Sequence, residues 1–361
     1  TVNLDEAVGR AAEILRKAKL PVIAGLATDV NGVRAAVALA ERSGATVDHM
    51  NSPSLFRNLQ VLQDGGWMTT SLTETRNRAD LILVAGAHVF ELFPRLMERV
   101  IRPKKCLPTD AGTARELVLI GPWKPSTLPP DLADWRPTII PVGLSALGEV
   151  VASLRALIAK RPLQVCGIEG VDINTLQNLA RRLQQADYSV VAWAASELDF
   201  PHAALTVENL VELVRSLNET TRSAALPLGG SQGDVTANEV CVWQSGRPLR
   251  TAFGRGHPEH DAVMFNYRRL LSQGADALLW LSSFLPDTPP PDADIPLVVL
   301  GHPKISLGQP PTVYIPVGIP GVDHAGHIYR SDAVVSLPLR QLRKSRLPAA
   351  SEILQAIIER L

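Results

Sequence analysis

Few stretches of this 361-residue sequence gather side chains that could do chemistry. The densest is Gly256-His257-Pro258-Glu259-His260-Asp261, with two imidazoles and two carboxylates in one short run. Zinc or iron takes such donors when they converge on a single point. Here Pro258 and the i,i+3 spacing of the histidines in a loop predict a solvated turn instead. His324 and His327 flank Ala325-Gly326 in a second turn and read as structural. Gly229-Gly230-Ser231-Gln232-Gly233-Asp234 is either an ordinary polar loop or an anion cradle built from backbone N–H groups. Asp80, following Arg76-Asn77-Arg78, is expected to start a strand and pair with one of those arginines. No GxGxxG follows a strand, because Gly25 to Gly32 has the wrong spacing, and there is no P-loop or HExxH. Neither a Ser-His-Asp nor a Cys-His set can be assembled from spacing. The residues alone describe an α/β protein without a visible catalytic centre.

The elements that would position a site alternate. Leu4, Val8, Ala11, Ala12, Leu15 and Ala18 recur at helical spacing behind Asn3 and Glu6, a capping-box pattern. Pro21 opens a strand over 22–25, and Asn31 is expected to cap a helix that ends at Ser43-Gly44, before a strand at 45–47. The run at 81–85 is apolar on both faces, as a strand covered by helices must be, 117–120 reads as another buried strand, and 189–194 and 224–228 as strands. Pro94 is placed near a helix start. Residues 122–141 are proline-rich and expected to cross the surface with little regular structure. Helices are expected around Leu147–Ile158, Ile173–Leu183, Val207–Leu217 and Ala262–Leu271, with another closing at Trp243-Gln244-Ser245-Gly246. Strands follow at 275–281, 297–300 and 313–316, a proline-rich loop at 286–296, and a last amphipathic helix through Ile353, Leu354, Ile357, Ile358 and Leu361. This is the rhythm of parallel βα units.

The chain is organised around Asp48 to Arg99. This stretch leaves a strand, crosses a polar loop and enters the apolar strand at 81–85. Ligands of open α/β sheets bind at the carboxyl ends of strands. Yet the loop reads Met50-Asn51-Ser52-Pro53-Ser54, with no thiolate, imidazole or carboxylate among the five. It has the form of an active-site loop whose chemistry has been removed.

Composition excludes several function classes. Lys+Arg and Asp+Glu both number 36, so no bulk field draws in nucleic acid or an anionic membrane. Zero net charge gives little colloidal repulsion, which suits one member of a larger complex. Hydrophobic residues make up 46% of the chain, which fits folded domains. Cys106, Cys166 and Cys241 are far apart and form no CxxC, so a disulfide framework or cysteine-ligated cluster is not expected. A cytoplasmic location is, with no apolar run long enough to span a bilayer and no signal-like segment at Thr1.

Several stretches resemble the B subunit of formylmethanofuran dehydrogenase, within the molybdopterin oxidoreductases. They are Pro21-Val22-Ile23-Ala24-Gly25, the loop at 48–54, Glu74-Thr75-Arg76-Asn77-Arg78-Ala79-Asp80, and Asp234-Val235-Thr236-Ala237-Asn238. Trp243-Gln244-Ser245-Gly246 and Tyr329-Arg330-Ser331-Asp332-Ala333-Val334 continue the series in the family's order. The resemblance implies two Rossmann-like βα domains with mainly parallel sheets, one inserted in the other: residues 1–75 with 225–361, and 76–224. In the family a Cys-His-Gly-Pro-Ser loop supplies the metal's cysteine ligand and a catalytic histidine. Met50 and Asn51 stand at those positions here. A thioether is a poor ligand for high-valent tungsten, and an amide does not shuttle protons as imidazole does. The family's N-terminal iron–sulfur cysteines are also missing, the chain opening about where that segment would end.

The resemblance therefore implies a redox-silent member of that family, as in the formyltransferase/hydrolase complex of methylotrophic bacteria. No catalytic, metal-binding or cofactor-binding residue is expected in this chain. Chemistry would belong to three partner chains: an amidohydrolase with its metal ions, a chain holding a methanofuran-like carrier, and a formyltransferase. Together they would convert formyl-tetrahydromethanopterin to formate. Two rivals stay open at this point: a tungsten- or molybdenum-pterin oxidoreductase with an unusual ligand set, and a nucleotide- or pterin-binding regulator using the 229–233 loop. If the metal is gone, Met50, Phe56 and Trp67 are expected to fill its place, since a void costs packing energy.

Overall fold

A computed structural model describes residues 3–110, 112 and 114–361. It divides into two compact units: the chain through Ser52 together with Gly230–Leu361, and Pro53–Gly229 inserted between them. Both are α/β units with mainly parallel sheets.

In the discontinuous unit the sheet order is Glu259–His260, Thr251–Ala252, Thr46–Val47, Pro21–Ala27, Ala277–Ser282, Leu297–Gly301 and Val313–Pro316. The last five run parallel, and the first two are antiparallel additions at one edge. The helix Leu4–Lys17 starts as the sequence predicts: the Asn3 side chain accepts the Glu6 N–H at 2.8 Å, and Ala7, Val8, Ala11, Ala12 and Leu15 are buried. Val30–Ser43 is capped by Asp29 rather than Asn31, its Oδ1 accepting the Gly32 N–H at 3.0 Å. It stops at Gly44, whose φ of +72° suits a residue without Cβ. The helix expected from Ala262 begins at Tyr267. Asp261 Oδ1 accepts the N–H groups of Val263 and Met264 in a turn, and Asn266 caps the helix by accepting from Arg268 and Arg269. Gly326–Tyr329 and Ser336–Leu339 form a hairpin, so His327 lies in a strand and not in a turn.

The inserted unit holds a five-stranded, wholly parallel sheet in the order Thr138–Pro141, Glu116–Gly121, Leu81–Ala85, Ser189–Ala194 and Ser223–Leu228. Successive residues of the central strand enter opposite cores. Leu81, Leu83 and Ala85 join one apolar cluster, while Ile82 and Val84 join the other. This two-sided burial is why such strands read as unbroken apolar runs. Residues 122–141 carry more structure than expected: a short helix Pro130–Trp135 and the edge strand Thr138–Pro141. Pro94 follows the helix Val89–Leu92 and lies just before the helical segment Met97–Ile101, near a helix start as expected.

The compact units divide at 52/53 and 229/230, whereas the family layout places the divisions at 75/76 and 224/225. The difference has a physical reason. Arg57 Nη1 donates to the Ala195 carbonyl at 2.9 Å, and Trp193 Nε1 donates to Asn58 at 3.0 Å. Thr70 donates to Ala225 and Ala225 to Met68, so 68–70 pairs with the edge strand. Segment 53–75 is thus tied to the inserted sheet. Asp80 accepts the backbone N–H groups of Asp187 and Tyr188, at 2.8 and 3.0 Å, rather than pairing with Arg76 or Arg78. Arg78 pairs with Glu74 and lies over the Tyr188 ring.

Candidate functional site

The carboxyl ends of Pro21–Ala27 and Thr46–Val47 lie side by side in the discontinuous unit. The pairing of the first strand is interrupted between Ala24 and Ala27, where Gly25 and Leu26 take φ of +81° and +53°. Gly25 is required there, because a Cβ would come within 2.6 Å of the Leu281 carbonyl oxygen. Leu26 is fully buried in a conformation that costs a branched residue about 1–2 kcal/mol. The bulge presents the Gly25 carbonyl to the Met50 N–H, at 3.2 Å. Bulges and strained residues of this kind are common beside active sites.

The side chains on that backbone are committed elsewhere. Met50 is half-buried and packs on the apolar cluster containing Val22, Ala24, Tyr267, Leu270 and Trp280. The Asn51 amide donates to the Ser231 carbonyl at 3.0 Å. Of the other residues expected to fill the old metal place, Phe56 is buried, and Trp67 meets Trp193 edge-on at 6.3 Å within the inserted unit.

Buried ionisable residues around the loop escaped the sequence reading. His49 is fully buried. Its Nδ1 accepts the Asn51 N–H at 2.9 Å, so Nε2 carries the proton and donates to the Gln232 carbonyl at 3.1 Å. Burial pulls its pKa down to about 4, and both ring nitrogens are occupied by backbone. Asp48 accepts from the His49 and Tyr267 N–H groups, both at 2.9 Å, with Arg250 at 3.7 Å. Burial outweighs that guanidinium and lifts Asp48 to about 6. Asp234 receives the Gly230 and Val235 N–H groups on Oδ1, both at 2.6 Å, and burial lifts it to about 7. The 229–233 loop therefore spends donors internally: Gly230 N–H on Asp234, and Gly233 N–H on the Gly230 carbonyl. The signal for these residues is weak in sequence, since a polar residue at a strand end is usually exposed.

The other candidates disperse. His260 Nδ1 bonds the Arg250 carbonyl, His257 and Arg255 face Glu259, and Asp261 caps its own turn. No group of three His, Cys, Asp or Glu side chains suited to a metal gathers among the described residues. Cys241 is buried and pushed up to about 11, so it stays a thiol. No helix of the described residues is long and apolar enough to cross a membrane. The loop therefore offers a Met thioether, a fixed amide and a neutral, doubly bonded imidazole, on a backbone built like a strand-end ligand site.

Asp234 gives this geometry a pH signature. The folded state keeps its proton up to about pH 7, whereas the unfolded chain releases it near the ordinary 3.8. The native state binds more protons in that window, so this stabilising contribution is complete below pH 3.8 and lost as pH rises through 7. Asp234→Asn keeps Oδ1 for both N–H donors and removes the charge. The variant should be more stable than wild type at pH 8 by about 2–4 kcal/mol, and equal to it near pH 4. Urea unfolding at both values checks this; an equal effect at the two pH values contradicts it.

No family model matches the chain. The B subunit of the formyltransferase/hydrolase complex Fhc of Methylorubrum extorquens is 30% identical over 99% of this chain and 94% of its own length. The B subunit of tungsten-containing formylmethanofuran dehydrogenase 2 of Methanocaldococcus jannaschii is 28% identical over 100% of the chain and 84% of its own. Among solved structures, a chain of the formyltransferase/hydrolase complex FhcABCD from Methylorubrum extorquens, crystallised with methylofuran, matches at TM-score 0.84 and 28% identity, covering 100% of this chain and 96% of that one. With near-complete coverage in sequence and fold alike, this chain belongs to the B-subunit family of the formyltransferase/hydrolase complex.

Proposed function

We propose that the chain is a non-catalytic structural member of a cytoplasmic formyltransferase/hydrolase assembly. That assembly converts formyl-tetrahydromethanopterin to formate through a methanofuran-like carrier, in one-carbon oxidation. Formyl transfer belongs to a separate formyltransferase chain, hydrolysis to a metal-dependent amidohydrolase chain, and the carrier to a third partner. This chain holds neither tungsten nor molybdenum and acts as a scaffold for those partners. The observation that carries the reading is the loop after Thr46–Val47. It runs beside the bulge at Gly25 and Leu26 in the strand Pro21–Ala27, the backbone of a strand-end ligand site, but Met50 packs on an apolar cluster, and Asn51 and His49 are bound to backbone. A thiolate-ligated metal finds no donor in that loop, and its one imidazole is already bonded on both nitrogens.

The test is reconstitution of the assembly from its separate chains. Leaving this chain out should prevent full assembly and lower formate production, while in assemblies that form with Met50→Ala or Asn51→Ala turnover should change by less than about twofold, since neither side chain touches a reacting group in this reading. Full assembly and full activity without the chain would overturn the reading. So would loss of turnover in an intact assembly carrying either loop variant, the outcome required by the oxidoreductase rival.

A further inference from the structure

A basic cavity of about 580 Å³ opens in the inserted unit, away from the loop just described. Arg76 lines one wall; Arg95, Arg99, Arg102 and Lys104 line the other. Among the described residues, only two carboxylates, Glu98 and Asp131, share it. In a chain with equal numbers of acidic and basic residues, this is a concentrated positive field.

The walls are fixed from behind by a buried arginine. Arg115 donates to the carbonyls of Thr75, Arg76 and Ala79 at the end of the helix Leu72–Arg78. It also donates to those of Val100 and Ile101 in the π-helical turn Met97–Ile101. Arg115 thus ties the ends of these two helical segments together beside the cavity, and the carbonyls there are already taken. The cationic side chains stand on this rigid frame, exposed to solvent.

The ligand class follows from what the cavity offers. Its cations are four guanidinium forks and one ammonium on side chains. Compact phosphate sites use helix N-termini or nests of backbone N–H groups, whereas the cations that line this cavity are all carried on long side chains. Among the described residues no aromatic ring lines it, so a nucleobase finds no stacking surface. Guanidinium forks match carboxylates two bonds at a time. Arg95 and Arg99 already share one carboxylate, that of Glu98, at 2.5 and 3.2 Å. We propose that this cavity docks an acidic polypeptide segment of a partner protein, through several carboxylates spread along an extended chain. The proposal stands whether or not the chain is a scaffold.

The probe is a fluorescent hexa-aspartate peptide titrated onto the full chain, followed by anisotropy. Binding should weaken steeply with salt. The double variant Arg99→Glu, Arg102→Glu should bind about tenfold or more weakly. Arg99→Gln with Arg102→Gln should lose less and controls for folding, since neither side chain takes part in the Arg115 network. The matched hexa-asparagine peptide should not bind. Unchanged binding in both double variants would overturn the proposal. So would tripolyphosphate, or a single-stranded RNA, displacing the peptide at lower concentration than unlabelled peptide does.

Discussion

Replacing Arg115 with Met should lower the stability of the inserted unit by about 3–5 kcal/mol, among the largest effects of any single substitution in the chain. The side chain is buried, and its three nitrogens reach five backbone carbonyls: Ala79 at 2.6 Å, Arg76 at 2.7 Å, Val100 and Ile101 at 2.9 Å, and Thr75 at 3.4 Å. The final carbonyls of a helix have no intrahelical donors. Here they point inward onto one guanidinium, which at Thr75 joins the Ala79 N–H. Methionine matches the volume of the stem; the Thr75 carbonyl keeps the Ala79 N–H, but the carbonyls of Arg76, Ala79, Val100 and Ile101 lose the guanidinium, at roughly 1–3 kcal/mol for each acceptor that finds no water. Arg115→Lys should recover only part of the loss, since a compact ammonium cannot reach five carbonyls in two segments as the planar fork does. Chemical unfolding followed by tryptophan fluorescence reads the difference; a loss under about 1 kcal/mol would show that water replaces the arginine adequately.

Arg250→Met should be nearly as damaging to the discontinuous unit, with a distinctive pH dependence. Arg250 is buried, lies 3.7 Å from the fully buried Asp48, and donates to Ser52 Oγ at 3.1 and 3.3 Å and to the Ala262 carbonyl. Removing it leaves a buried carboxylate without its cation, at a cost of about 3–5 kcal/mol. Asp48 sits at about 6 in the native protein, already lifted by burial. Below that value it takes up a proton and no longer needs the guanidinium. The cost should therefore be greater at pH 8 than at pH 5. Asp48→Asn added to the same variant should restore part of the loss at pH 8, because the stranded charge is gone. Urea unfolding at the two pH values decides it: a loss independent of pH would mean that Arg250 acts through its hydrogen bonds to Ser52 and Ala262 alone.

Much of the architecture was legible because burial leaves a periodic trace. The strand expected at 189–194 is observed at Ser189–Ala194, since a strand covered on both faces must be apolar throughout. The helix caps at Asn3 and Gly44 were equally readable from local chemistry. Where two nearby residues could each cap, local chemistry could not choose, and Asp29 displaced Asn31. The Gly326–Tyr329 and Ser336–Leu339 hairpin was missed because its second strand is largely exposed and carries no alternation. The site divides in the same way. The loop at Met50 and Asn51, without thiolate, imidazole or carboxylate from 50 to 54, could be read from residue types alone. Its supports could not: Asp48 and Arg250 are about two hundred positions apart, and only the fold brings them together. His49 reads as one more residue at a strand end until its ring is seen bonded on both nitrogens.

The proposed scaffold role gives this chain the B-subunit fold without a tungsten or molybdenum site. The most direct test is elemental analysis for tungsten and molybdenum on the natively purified assembly, with this chain and its partners identified by mass spectrometry. Neither element should exceed trace level, and amidohydrolase and formyltransferase chains should copurify. One tungsten or molybdenum atom for each copy of the chain would contradict it, and would mean that the loop at Met50 and Asn51 does not mark the loss of the metal site.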